Sequence, residues 1–384
     1  MASSSKRSWS MSTLPLDLIE EIFYRTPAES LVRAKPTCKE WYALVTSKRF
    51  IYYHLDRSPK RFIRTVDTVQ ILDPVTRTRS DSPIPNAFQE PYEIDTLVYC
   101  DGLMLCMCGH WSTFREEERY AHLAIWNPVL RQIRWIKPSK CFTCSDYYGI
   151  GYDSKKKCRD GYKILRFSDR RYDHWDFDYD GEPEVEVYEF KTRSWRSLDD
   201  AKVDWHVDIA CKGVAVRGNM YWRAQKERTY ILGFDFSVER FKDVCFSPPS
   251  AYDSYLACFD GDRLSLLQQD EESREIVVWV TDKLTDVDVS FTKYFTVSRP
   301  DVPALLFCSE TAHPVYFIGK HKRIIAWSEG TEGERGTFCV FFTLYEIDES
   351  GLRKQTETER DSGHCSCRSF LCGYVYVPSL VPLP

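Results

Sequence analysis

The run Ile71-Leu72-Asp73-Pro74-Val75-Thr76-Arg77 is echoed 54 residues later by Ile125-Trp126-Asn127-Pro128-Val129-Leu130-Arg131. Phe190-Lys191-Thr192-Arg193-Ser194-Trp195 is likewise echoed 46 residues later by Phe236-Ser237-Val238-Glu239-Arg240-Phe241. Each copy reads as the end of a strand, a polar turn and the start of another strand. A second unit reads turn, then strand: Asp101-Gly102-Leu103-Met104-Leu105, Arg217-Gly218-Asn219-Met220-Tyr221-Trp222 and Asp260-Gly261-Asp262-Arg263-Leu264. Glycine supplies the positive φ that tight hairpins need. A period of about 40–50 residues with several strands per unit is the signature of propeller blades.

Short β-rich runs continue from Phe62 to the C-terminus. They include Ile133–Ile136, Tyr162–Phe167, Val185–Phe190, Val214–Val216, Met220–Arg223, Ile276–Val280, Val315–Ile318, Phe338–Leu344 and Tyr374–Val377. The aromatic fraction of 15% suits strands better than helices. Some 320 residues at this period make roughly six or seven blades, and six is the expectation. A β-sandwich would need far fewer residues. The strand-like Gly373–Val377 is expected to pair near the first β-strand, closing the ring.

The first 64 residues differ in kind. They hold 12 Lys+Arg and 6 Asp+Glu, a balance of +6, against −11 for the remaining 320 and −5 for the whole chain. A basic head thus precedes an acidic body, which suggests two modules with different partners. The net negative charge argues against a general nucleic-acid binder.

Helical spacing is confined to this head. Leu14, Leu18 and Ile22 recur at i, i+4 and i+8, with Ile19 and Phe23 widening the stripe. Thr26-Pro27-Ala28-Glu29 reads as a capping box opening a helix through Leu31, Val32 and Ala34 that Pro36 ends. Thr37-Cys38-Lys39-Glu40 offers a second box, and Ser47 a start for a last helix through Phe50, Ile51 and Leu55. So small a bundle cannot hide all these apolar groups. It is either a cap packed on the body or a docking module whose face a partner completes.

The run Leu14-Pro15-Leu16-Asp17-Leu18-Ile19-Glu20-Glu21-Ile22, then Pro27 and Leu31, then Cys38-Lys39-x-Trp41, resembles an F-box over residues 12–55. Phe23 stands where the pattern more often has Leu, and Thr26 where an aliphatic residue is common. The resemblance implies docking on a SKP-type adaptor subunit and, through it, on a cullin–RING ubiquitin ligase. Carried over by position, Leu14, Pro15, Leu18, Ile22, Leu31, Cys38 and Trp41 would face the adaptor or support that face.

Most of residues 95–380 resemble the plant F-box-associated, kelch-like interaction domain, and the domain is expected to span 62–384. The residues that carry the likeness are Cys100-Asp101-Gly102-Leu103-Met104-Leu105-Cys106, Ile125-Trp126-Asn127-Pro128, Arg134-Trp135-Ile136 and Tyr148-Gly149-Ile150-Gly151-Tyr152-Asp153. Val187-Tyr188-x-Phe190, Gly218-Asn219-x-Tyr221-Trp222 and Ile231-Leu232-Gly233-Phe234-Asp235-Phe236 follow in order. That likeness implies recruitment of a protein target. The expected fold is therefore a small all-α head plus an all-β, propeller-like body. The expected function is substrate recognition in a ubiquitin ligase. The alternatives are a non-ligase interaction scaffold with a degenerate F-box, or an enzyme in the propeller channel.

Motifs for chemistry are incomplete. Asp176-x-Asp178-x-Asp180-Gly181 opens like a calcium loop, but Val187 occupies the twelfth position, where an EF-hand needs Glu. His364-Cys365-x-Cys367 with Cys372 lacks zinc-ribbon spacing, and the one Cys-x-x-Cys pair, Cys141 and Cys144, is remote. Gly149-Ile150-Gly151 lacks the third glycine of a dinucleotide loop. His110, His122 and His206 have no defining spacing. No catalytic residue, metal site or cofactor is expected. The start of the chain shows no secretory pattern, no apolar run is long enough to span a membrane, and the 15 cysteines are scattered through apolar segments. Cytosol or nucleus is the expected location. The longest polar insertion, Ser168 to Glu184, interleaves acids with Tyr172, Trp175, Phe177 and Tyr179. Trp175 and Tyr179 are the candidate target anchors there, suited to a basic or mixed-charge segment.

Overall fold

The computed structural model describes residues 14–65, 68–89, 93–109, 122–139, 146–155, 159, 161–168, 184–199, 201, 203–207, 213–248, 254–286, 288–305, 314–332, 339–361 and 373–384. Four helices come first: α1 (Leu16–Tyr24), α2 (Ala28–Ala34), α3 (Lys39–Thr46) and α4 (Lys48–Arg57). Six antiparallel sheets follow, each a blade of a propeller.

Blade I is assembled from both ends of the β region. Gly373–Tyr376 pairs with Arg61–Thr65, and Thr68–Asp73 and Thr78–Pro83 complete the sheet. The register Phe62↔Val375 and Ile63↔Tyr374 closes the ring as expected. Blade II holds Glu93–Cys100, Leu103–Gly109, His122–Asn127 and Gln132–Ile136. Blade III holds Asp146–Gly151, Lys163–Ser168, Glu184–Glu189 and Ser194–Ser197. In blade IV, His206–Val207 and Val214–Val216 both pair with Asn219–Gln225, and Thr229–Asp235 and Arg240–Phe246 lie outside. Blade V holds Ser254–Phe259, Arg263–Gln269, Ile276–Thr281 and Phe291–Val297. Blade VI holds Val315–Gly319, Arg323–Glu332, Cys339–Asp348 and Gly351–Asp361.

The sequence repeats are turns. Asp73 Oδ1 accepts from the backbone N–H of Val75 and Thr76 at 2.9 and 3.1 Å, and Asn127 Oδ1 accepts from Val129 and Leu130 at the same distances. These turns end in left-handed residues, Arg77 (φ 59°) and Arg131 (φ 54°); Arg193 (φ 55°) and Glu239 (φ 54°) end the equivalent turns of blades III and IV. In blades I, II and IV a short side-chain acceptor, Asp73, Asn127 or Asp235, holds the turn closed. The second unit is the hairpin between first and second strands. In Asp101-Gly102, Arg217-Gly218 and Asp260-Gly261 both residues have positive φ. Blade VI uses His321-Lys322 (φ 59° and 54°), a copy with no glycine to betray it.

Aromatic rings fill the wedges between blades. Phe167 of blade III meets Trp205, Trp222 and Phe241 edge-on, with centroids 5.1–5.4 Å away, and stacks on Tyr147. Phe62, Trp327 and Phe342 do the same where blades I and VI meet. Gly151 is a packing residue: a Cβ there would lie 2.2 Å from Gly218 O and 2.4 Å from the Phe236 ring. The Gly-x-Gly run is therefore spent on blade contact.

Successive strands alternate in direction, so first-to-second and third-to-fourth turns emerge on one face of the propeller. The helices rest on that face. Tyr52 Oη of α4 donates to Arg159 O at 2.7 Å, and Arg61 Nη1 reaches Glu29 of α2 at 2.7 Å. Lys60 Nζ donates to Cys258 O at 3.5 Å. Only Ser58, Pro59 and Lys60 separate α4 from the first strand. The tail 377–384 stays on the same side, where Asn127 Nδ2 donates to Ser379 O and Val381 O at 3.2 and 2.8 Å.

Candidate adaptor-docking face

Helix α1 buries Ile19 and Phe23 and leaves the rest of its apolar stripe in solvent. Leu14 is 38% exposed, Leu18 52% and Ile22 44%, and Pro15 is exposed beside them. Pro15 stands at the N-cap, one residue outside the helix, and its carbonyl accepts from Leu18 and Ile19 N–H. Leu16 (58%) and Tyr42 (53%) extend the open apolar surface; the sequence spacing had not singled them out. Large apolar side chains left uncovered in this way on so small a unit are the pattern of a surface awaiting a partner.

The other expected residues lie beneath. Leu31 is fully buried and anchors α2. Cys38 caps α3, its Sγ accepting from Trp41 N–H at 3.4 Å. Trp41 is half-buried and meets Phe23 edge-on at 5.0 Å, so the aromatic at position 23 serves as a strut. The two capping boxes do not form. Pro27, not Thr26, is the N-cap of α2; Thr26 Oγ1 instead donates to Ile22 O at 2.9 Å, and Glu29 turns away to Arg61. At α3 the cap is Cys38 rather than Thr37. For Glu29 a tertiary partner, Arg61, outcompetes the local hydrogen bond. Ser47 caps α4 as expected, accepting from Phe50 N–H at 3.3 Å.

One buried histidine braces the head. His54 Nε2 lies 2.8 Å from Thr26 O and Nδ1 3.1 Å from Ser58 Oγ. Burial pushes its pKa down, against the opposing pull of Thr26 O and Glu29.

A model of the F-box domain family matches residues 11–53, and a model described as F-box associated beta propeller domain matches 55–383. The chain is a plant F-box protein with a propeller body. Among its relatives in Arabidopsis thaliana, "Putative F-box only protein 15" is 51% identical, covering 97% of this chain and 97% of the relative. "F-box protein At3g08750" is 50% identical, covering 99% of this chain and 100% of the relative. "F-box/WD-40 repeat-containing protein 1" is 42% identical, covering 100% of this chain and 92% of the relative.

The target-side residues fare differently from the F-box. Trp175 and Tyr179, with the Asp176–Gly181 run, lie outside the described residues, as do the Cys141/Cys144 pair and the His364–Cys372 cluster. Their flanks are placed: Ser168 pairs with Glu184 at the end of blade III away from the F-box. His122 packs against Trp135 in blade II, 5.9 Å between centroids, and His206 sits in blade IV; His110 is outside the described residues. Among the described residues no group of three or more His, Cys, Asp or Glu is placed to hold a metal. None of their helices is long and apolar enough to cross a membrane.

Proposed function

We propose that this F-box protein is the substrate-recognition subunit of a SKP–cullin–F-box ubiquitin ligase. The F-box, taken as residues 12–55, docks on the SKP-type adaptor, and the propeller, taken as 62–384, recruits a protein target. The observation that carries the reading is the uncovered stripe Leu14, Pro15, Leu18 and Ile22, with Leu31, Cys38 and Trp41 holding the helices beneath it. The subunit is non-catalytic: it brings the target to a transfer reaction run by the rest of the ligase, in cytosol or nucleus. Family membership and the relatives' printed names support this role. A binding titration with purified SKP-type adaptor tests it; failure of the wild-type chain to bind would leave the non-ligase scaffold as the better reading.

The target side follows from polarity of the fold. The F-box occupies the face of the first-to-second-strand turns, so we assign the target to the opposite face. Ser168 and Glu184, the flanks of the insertion to which we assign the target anchors Trp175 and Tyr179, pair at the end of blade III away from the F-box.

A further inference from the structure

Arg159 sits where the F-box meets the propeller, in the connection between the first two strands of blade III. Its guanidinium spans two carboxylates from different modules: Asp56 of α4 at 2.6 Å and Asp101 of the blade II hairpin at 3.4 Å. Its carbonyl accepts from Tyr52 Oη, and the guanidinium carbon lies 5.2 Å from the Tyr52 ring. Asp101 is fixed independently: Tyr162 Oη donates to it at 3.3 Å, and the adjoining Gly102 packs against Ser379 of the C-terminal tail. Burial pushes the Asp101 carboxyl up, while Arg159 and the hydroxyls of Tyr152 and Tyr162 pull it back down. Asp56 adds like-charge repulsion to the same carboxyl.

We propose that Arg159 is a positioning residue that locks the azimuth of the F-box on the propeller, so that adaptor face and target face keep one fixed relation. Resting on the ligase reading above, this assigns the clasp a task in ubiquitin transfer: it restricts which lysines come within reach. With the guanidinium present, two acids from different modules are drawn to one cation; without it that bridge is lost and Asp101 is left buried without its counter-charge.

The test measures orientation and adaptor binding separately. Donor and acceptor dyes are placed through azide-bearing amino acids at the exposed Glu40 of α3 and Lys242 of blade IV, and time-resolved energy transfer gives the distance distribution. Wild type should give one narrow distribution; Arg159→Met should broaden it at least twofold, and Arg159→Lys should restore most of the width. Asp56→Asn, which changes a largely exposed side chain and spares the fold, should broaden it to a lesser degree. Adaptor affinity should stay within about twofold in every variant. An unchanged distribution in both Arg159→Met and Asp56→Asn would overturn the clasp. Loss of adaptor binding by wild type would instead sink the ligase reading and leave the orientation result standing.

Discussion

Arg61 holds Glu29 at 2.7 Å while its backbone pairs with Tyr376, so the first residue of the propeller touches both the F-box and the closing strand. Head, ring closure and C-terminus are thus joined at one residue. Removing residues 373–384 should expose the inner edge of Arg61–Thr65 and uncover Phe62 and Ile63, both fully buried. We expect the truncated chain to aggregate at micromolar concentration. Size-exclusion chromatography with light scattering checks this, and a monomeric truncation with unchanged thermal unfolding would refute the closure.

Replacing Leu14 and Pro15 together by Ala should abolish adaptor binding and leave the propeller intact. Anchors at a desolvated interface each contribute about 2 kcal/mol, so the double variant should lose well over a hundredfold in affinity. Calorimetric titration gives the affinity, and a circular dichroism melt shows whether the fold is kept.

Gly151→Ala should destabilise the propeller by about 2–4 kcal/mol, because the new methyl meets backbone at Gly218 O and cannot be relieved by a side-chain rotation. Gly161→Ala makes a useful contrast: there a Cβ meets nothing within 4 Å, and the cost is only that of a positive φ of 76°. A chemical denaturation midpoint that moved equally for both would contradict the packing role.

His54 makes the F-box sensitive to acid. Its folded pKa lies below the ordinary value of about 6.5, so the folded state binds fewer protons than the unfolded state through that region. Stability from this group is therefore complete above about pH 6.5 and falls as the pH drops toward the lowered folded value. His122, lowered by burial as well, acts in the same direction. The thermal midpoint should decline between about pH 7 and 5, with a shallower decline in His54→Gln.

Trp175→Ser with Tyr179→Ser should leave adaptor binding unchanged and reduce target capture. Proximity labelling with and without a proteasome inhibitor supplies the target set. An identical set from the double variant would place recognition elsewhere on the propeller.

Much of this protein was legible from local signals. The helical stripe, the Ser47 cap and the blade turns depend on residues within a few positions of one another, and period and spacing report such contacts faithfully. Gly218, Gly261 and the Asp/Asn acceptors of the repeated turns are in this class. One failure came where a distant segment competes for a polar group, the other where the neighbouring Cys38 takes the cap from Thr37. Thr26 and Glu29 spell a capping box, yet Glu29 is taken by Arg61, 32 residues on. The matching of His321-Lys322 to the glycine hairpins was hidden because a register fixed by neighbouring strands, not by residue type, imposes the left-handed conformation.

The sequence by itself determined that a small helical unit precedes a ring of β-blades, because hydrophobic periodicity and turn chemistry are properties of short stretches. Only the tertiary structure decided which part of the F-box stripe is open and which is support, since Leu14 and Leu31 are equally apolar as letters and differ in what packs over them. It alone decided that Asp56, Asp101 and Arg159 meet, for no spacing along the chain encodes a contact made by three segments folded against one another.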